Sequence, residues 1–233
     1  MKSISTIQAW QGEADCKSCT IRDSVLFAGL SDDDFSHIHQ PIDQFAVPTG
    51  GTLYHHKDPG RYLYTIRHGL VKLVNYLPDG SQRIVRLAHM SDVIGLEILV
   101  DDAYKHDAVV LQDAQFCRLP VEVVKRLSRE NPDLHHELMA RWQDALNKAN
   151  DWLIDLSTGS ARQRIARLLL MIGSSDDVHC ELMSREDMGS VLGLTMETVS
   201  RIIAEFKRNG LISKNANGCY DCNLEELNRV AGG

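Results

Sequence analysis

The chain has 233 residues, 43% of them hydrophobic, and a formal net charge of −7. That length leaves room for two modest domains and a connector, and the charge excludes general coating of nucleic acid: a DNA reader with this balance must gather its positive groups locally. No apolar run approaches the ~20 residues that span a bilayer, and the polar N-terminus lacks a secretion pattern, so a cytoplasmic protein with reduced thiols is expected.

Residues 1–24 are expected as a polar segment carrying Cys16-Lys17-Ser18-Cys19. A lone CxxC suits a metal, a cluster, a dithiol or two ordinary surface thiols. Ser31 followed by Asp32, Asp33 and Asp34 predicts a helix start, with a hydroxyl cap and acids in the first turn. From Ile42 to Leu119 the pattern changes to short apolar runs divided by turns such as Thr49-Gly50-Gly51, Lys57-Asp58-Pro59-Gly60 and Pro78-Asp79-Gly80. Runs at Leu53–Tyr54, Tyr62–Ile66, Leu70–Tyr76, Ile84–Leu87, Ala108–Leu111 and Phe116–Leu119 predict an antiparallel sandwich or barrel over 25–130. No phosphate-cradling glycine loop and no GxSxG elbow is present, so nucleotide-hydrolysing and hydrolase readings find no support. His55, His56, His68, His89 and His106 are scattered without ligand spacing; a haem or metal ligand among them stays open.

Residues 131–158 predict a long helix from about Asp133 to Ser157. Its apolar positions Leu138, Trp142, Ala145, Ala149, Trp152 and Leu156 advance in steps of four and three, the rhythm of a two-helix seam, which predicts a homodimer. Thr158-Gly159-Ser160 reads as a hinge.

Residues 159–233 predict a helix over Ala161–Ile172, a strand near His179–Met183 and two short helices joined at Gly193. Ser184 to Asp187 reads as a capping box, and Thr195 caps the second helix, whose buried stripe is expected at Met196, Val199, Ile202, Ile203 and Phe206. Two helices on a glycine turn make a helix-turn-helix, whose second helix enters the DNA major groove. Its outward face carries Glu197, Ser200, Arg201 and Glu205, with Lys207 and Arg208 at the end. Glu accepts from the cytosine amino group, and Arg donates in a fork to guanine. An ion pair between Glu197 and Arg201, four apart, is the plainer alternative. A hairpin around Asn217-Gly218 would add a wing, and Leu224–Ala231 a closing helix.

The segment Gly193-Leu194-Thr195-Met196-Glu197-Thr198-Val199-Ser200-Arg201 closely resembles the recognition segment of the CRP/FNR family of bacterial transcription regulators. Leu63 to Leu73 resembles the family's central hairpin, Asp92 to Glu97 its glycine turn and Phe116 to Pro120 its last barrel strand, so the likeness runs along nearly the whole chain. The resemblance implies an α+β architecture: a cyclic-nucleotide-binding-like β-roll, a dimerisation helix and a winged helix. It implies a non-enzymatic regulator with RNA polymerase as partner and a palindrome related to TTGAT-N4-ATCAA as target. Thr195, Glu197, Thr198, Ser200, Arg201 and Lys207 are the expected DNA contacts. Cyclic-AMP-binding members carry Gly-Glu at the turn and a later Arg-Ser; in this chain Gly95-Leu96 and His106-Asp107 stand in their place. A His cannot replace a bidentate Arg, so cyclic AMP is rejected as the ligand and other small molecules stay open.

FNR members hold a [4Fe-4S] cluster on four cysteines. Cys16 and Cys19 match two of the N-terminal three and Cys117 the barrel cysteine, while the remaining position falls on Val25, which cannot ligate. A cluster would need another fourth ligand, such as Asp23; haem, thiol oxidation and no cofactor are the other outcomes. The competing class is a thiol redox protein using Cys16 and Cys19 without DNA, although the βαβ context of such dithiols is missing.

Overall fold

The computed structural model describes residues 43–173, 179–180 (backbone), 183–215 and 220–232. The CxxC and the helix expected after Ser31 lie outside them. The chain divides into two compact units: residues up to Tyr76 with Val85–Asn147, and Leu77–Ile84 with Lys148–Gly233.

The first unit is built on one sheet. Strands β1 (Asp43–Val47), β2 (Thr52–Tyr54) and β3 (Tyr62–Tyr76) each pair antiparallel with β6 (Asp107–Pro120). β5 (Val93–Ile94) pairs antiparallel with β3, and β4 (Gln82–Ala88) flanks β3 on its other edge. Two expectations change at this point. The runs Tyr62–Ile66 and Leu70–Tyr76 form one strand, as do Ala108–Leu111 and Phe116–Leu119. The interruption at Gly69 is a bulge rather than a turn: the pairing with β6 shifts register between Ile66 and Val71. Gly69 has φ 91°, and a Cβ there would lie 2.5 Å from the carbonyl oxygen of Asp113. Glycine lets the strand bend and continue where a side chain would push it off.

The core is aliphatic and aromatic. Phe116 is fully buried, with the Phe45 ring stacked at 5.5 Å and Tyr64 edge-on at 6.5 Å. Tyr54 stacks on Tyr104 at 3.7 Å. Arg118 pairs with Asp43 and lies 4.6 Å from the Tyr62 ring centre, closing the rim of this cluster with a cation over an aromatic face.

Two helices follow, α1 (Val121–Glu130) and α2 (Pro132–Ser157). Asn131 separates them: its side-chain oxygen accepts from the amides of Asp133 and Leu134 at 2.9 and 3.0 Å, and Pro132 needs no amide at the first helical position. Leu134, Leu138 and Trp142 pack on the sheet core. No helix among the described residues is long and apolar enough to cross a membrane.

The second unit holds α3 (Ala161–Ile172), β7 (His179–Cys180), α4 (Arg185–Leu192), α5 (Met196–Arg208), β8 (Ile212–Lys214), β9 (Tyr220–Cys222) and α6 (Leu224–Gly232). Ser160 and Gln163 form a full capping box at the start of α3, after Gly159 takes φ 84°. Strands β7, β9 and β8 form a small antiparallel sheet beside the two short helices.

Phe116→Ala is expected to lower the unfolding free energy by about 3–5 kcal/mol, read from urea denaturation, because a fully buried aromatic leaves a cavity. A loss below about 1 kcal/mol would show that the ring is loosely packed.

Candidate nucleic-acid interface

Helix α4 starts where Ser184 accepts from the Asp187 amide at 2.9 Å. The Ser184 hydroxyl also donates to the Asp187 carboxylate at 2.8 Å. That carboxylate therefore meets the cap hydroxyl, which differs from the expected box in which an acid reaches back to the backbone. α4 ends at Gly193, whose left-handed conformation (φ 62°) makes the turn. The two elements come close at Gly189, where a Cβ would sit 2.6 Å from the Leu194 carbonyl oxygen.

Thr195 caps α5, its hydroxyl accepting from the Thr198 amide at 3.2 Å and meeting the Thr198 hydroxyl at 3.0 Å. These two hydroxyls, expected at DNA, thus hold the helix start. Val199, Ile202, Ile203 and Phe206 are buried, as the spacing predicts. Met196 is not: it is 62% exposed. Glu197, Ser200 and Arg201 face solvent together, and no ion pair joins Glu197 to Arg201 among the described residues. The plain ion-pair reading of that face is therefore absent from the described structure.

Three arginines of α3 hold this arrangement, and the sequence pattern did not single out any of them. Arg162 pairs with Glu205 at 3.0 Å and lies 5.7 Å from the Phe206 ring centre. Glu205, expected on the outward face, is thus turned toward α3. Arg164 donates to the Leu192 carbonyl at 2.8 Å, satisfying the C-terminal end of α4. Arg167 donates to the carbonyls of Asp155 and Thr158 at 3.1 Å each and of Ala231 at 3.0 Å, tying the end of α2 to the end of α6. An i, i+2 and i+5 placement of Arg on an otherwise apolar helix was the available signal.

At the other end of α5, Lys207 donates to the Tyr220 hydroxyl of β9 at 2.7 Å and sits 4.4 Å from that ring centre. Lys207 stays exposed but is shared with the wing. Its hydrogen bond, aided by the charges of Lys214 and Arg185, holds the Tyr220 phenol below its ordinary pKa.

In the first unit, Cys117 is half-buried on β6, opposite Gln44 and Thr65 in register. No group of three His, Cys, Asp or Glu side chains that could hold a metal occurs among the described residues. The Asp107 carboxylate accepts from the His56 amide at 2.7 Å and contacts His55 Nδ1 at 3.3 Å. Burial pushes the His106 imidazole pKa down, opposed by Glu97. On α2, the residues expected at a helix seam differ in exposure. Leu138 and Leu156 are only 3% and 2% exposed within the chain itself, and Trp142, Ala145 and Trp152 are half-buried. Ala149 remains open, and the exposed large apolar side chains of α2 are Met139, Leu146, Leu153 and Ile154. A helix that packs on its own chain uses one stripe for that and leaves the neighbouring stripe free.

Residues 163–230 match the Crp-like helix-turn-helix domain, and residues 44–131 match the cyclic nucleotide-binding domain. The chain is 28% identical over 229 residues to the transcriptional activator protein anr of Pseudomonas aeruginosa, covering 95% of this chain and 94% of that one. It is 26% identical over 225 residues to the fumarate and nitrate reduction regulatory protein of Vibrio cholerae, covering 93% and 90%. Among solved structures, a CRP-family transcriptional regulator from Thermus thermophilus superposes with a TM-score of 0.71 at 26% identity, covering 81% of this chain and 96% of that one. FixK2 from Bradyrhizobium japonicum shares the fold, with a TM-score of 0.73 at 24% identity over 82% and 98% of the two chains.

In a titration followed by tyrosinate absorbance, Tyr220→Phe is expected to remove an early phase that ionises below the ordinary phenol range. Tyr54 and Tyr64, both raised chiefly by burial, ionise only as the protein unfolds. An unchanged early phase in Tyr220→Phe would remove the Lys207–Tyr220 pair.

Proposed function

The chain belongs to the CRP/FNR family of transcription regulators, and from that premise we propose that it is a homodimeric, sequence-specific DNA-binding regulator answering a redox, oxygen or gas signal. The observation that carries this reading is the exposed triplet Glu197, Ser200 and Arg201 on α5, whose opposite face is buried. The two charged side chains match base edges by chemistry: a carboxylate for the cytosine amino group, a guanidinium fork for guanine O6 and N7. The target is a palindrome of the TTGAT-N4-ATCAA type, with half-sites about one helical turn, ~34 Å, apart on one DNA face. RNA polymerase is the downstream partner, and the cytoplasm, where DNA and polymerase are found together, is the compartment.

Dimerisation is assigned to α2, along Met139, Leu146 and Leu153, seven residues apart, with Ala149 between them. A repeat of seven keeps one seam facing a partner helix, and a small residue lets the helices approach. This row replaces Leu138 and Leu156, which are buried within the chain. A signal in the first unit acts by shifting the two α2 helices and thereby the separation of the two recognition helices.

Cys16, Cys19 and Cys117 are the thiols assigned to sensing. Bound there, an iron–sulfur cluster would supply oxygen-sensitive chemistry. The residues do not complete its usual four-thiolate set: Val25 stands where the family places another ligand, and Cys117 is the one member of the set among the described residues. No step is therefore assigned to a cluster. The chemistry assigned to the chain itself is thiol-based, through these three cysteines. The family's Arg-Ser pair is replaced by His106 and Asp107, and the Asp107 carboxylate adds negative charge where a phosphate would need a donor fork.

Arg201→Ala is expected to weaken specific binding by about 1–3 kcal/mol and to relax base choice at one position per half-site, read by gel shift on a set of single-base variants. Equal weakening on every sequence would reduce Arg201 to a phosphate contact. Leu146→Asp is expected to give a folded monomer by sedimentation and circular dichroism, with palindrome binding lost; a persistent dimer would move the seam elsewhere.

A further inference from the structure

One rung of the first sheet carries a thiol beside a hydroxyl that nothing satisfies. In antiparallel register, Cys117 of β6 stands between Gln44 of β1 and Thr65 of β3. The neighbouring rung is Phe45, Phe116 and Ile66, which belongs to the aromatic core, so Gln44, Cys117 and Thr65 share the opposite face of the sheet. Directly opposed residues have Cβ atoms about 4.5–5.5 Å apart, which sets the Thr65 hydroxyl beside the Cys117 thiol. Thr65 is 1% exposed, and its hydroxyl has no hydrogen-bond partner. Arg67 of β3 reaches across β6 to donate to the Gln44 side-chain oxygen, which brings a guanidinium to the same rung.

A buried hydroxyl without a partner is rare in native proteins and asks for a reason, a redox role among them. Thiol sulfur is a weak acceptor, so it leaves the hydroxyl unsatisfied while the chain is reduced. One oxygen added to that sulfur would give the hydroxyl an acceptor within reach. Cys117 is half-buried, open enough for a small oxidant and sheltered from a large one. From this geometry we infer that Cys117 is the thiol that reacts with a hydroperoxide, and that Thr65 is a positioning residue holding the oxygen it gains. The thiol gives up its proton, and the sulfur attacks one peroxide oxygen. The S–O bond forms as the O–O bond breaks, and the departing hydroxide or alkoxide takes up a proton and leaves as water or an alcohol. Sulfur is oxidised by two electrons and the peroxide is reduced by the same two, which leaves a sulfenic acid. Thr65 donates to its oxygen, and Arg67 places a cation beside the charge that develops as the O–O bond breaks. The inference rests on the thiol-based sensing assigned above and names its substrate class and its site.

The test uses the full-length, reduced protein. One equivalent of hydrogen peroxide is added, then dimedone, and peptide mass spectrometry reads which cysteine carries the adduct. Cys117 is expected to be labelled, and Cys117→Ser to lose that adduct alone. In a Cys16→Ser/Cys19→Ser background, which removes condensation with those thiols, the delay between peroxide and dimedone gives the lifetime of the sulfenic acid. Thr65→Val, of the same shape without the hydroxyl, is expected to shorten that lifetime about fivefold, the worth of one ordinary hydrogen bond, while Thr65→Ser keeps it within about twofold. A merely structural Thr65 would change stability and leave the lifetime as it is. Thermal unfolding checks that each variant is folded; if Thr65→Val is not, Thr65→Ala takes its place. No adduct at Cys117 in the unaltered protein overturns the inference, and so does an equal lifetime without the hydroxyl. Oxidation confined to Cys16 and Cys19 removes this inference alone and leaves thiol-based sensing in place; a dose that oxidises no thiol removes both.

Discussion

The burial of one face of α5 is the constraint on which the rest of the second unit depends. Val199, Ile203 and Phe206 are essentially inaccessible, and Ile202 nearly so. Because helical residues advance by about 100°, burying these four leaves Glu197, Ser200 and Arg201 no place except solvent. The exposed polar face of α5 is thus a consequence of packing rather than a separate feature. Phe206 sits under the Arg162 guanidinium, which also takes up Glu205. One arginine therefore both seals the core and draws an acidic side chain away from the exposed face of α5.

The same economy appears at the helix ends. A helix leaves its last carbonyls without partners, and α3 supplies arginines to three such ends: Arg164 to α4, and Arg167 to α2 and α6. Hydrogen bonds of a charged donor to carbonyls are stronger than neutral ones. They tie α3 to α4 and join the ends of α2 and α6 without using the exposed face of α5. That face stays free for a ligand.

Helix α2 faces two demands along one length. Its first half packs Leu134, Leu138 and Trp142 on the sheet core, while Met139, Leu146 and Leu153 lie on an adjacent stripe. The first stripe is used inside the chain, and the second is left exposed. In the first unit, the Asp107 carboxylate accepts from the His56 amide and contacts the His55 ring, so it serves the structure of that turn.

Local pattern alone was enough for the short helices, the cap residues Ser184 and Thr195 and the glycine turns at Gly159 and Gly193, since these depend on side chains within four or five residues of each other. It was enough for Arg201 and Glu197 as outward groups, because periodicity relates them to the buried stripe. It failed where the partner is distant in the chain. Gly69 read as a break between two strands, because the β6 backbone that accommodates its bulge is about forty residues away. Leu138 read as a seam residue and Met196 as a core residue, because a hydrophobic period marks that a face is apolar and not which surface covers it. Which of two adjacent stripes on α2 is spent inside the chain, and which end of α5 lies beyond its cover, are decided only when all the elements compete for the same interior volume.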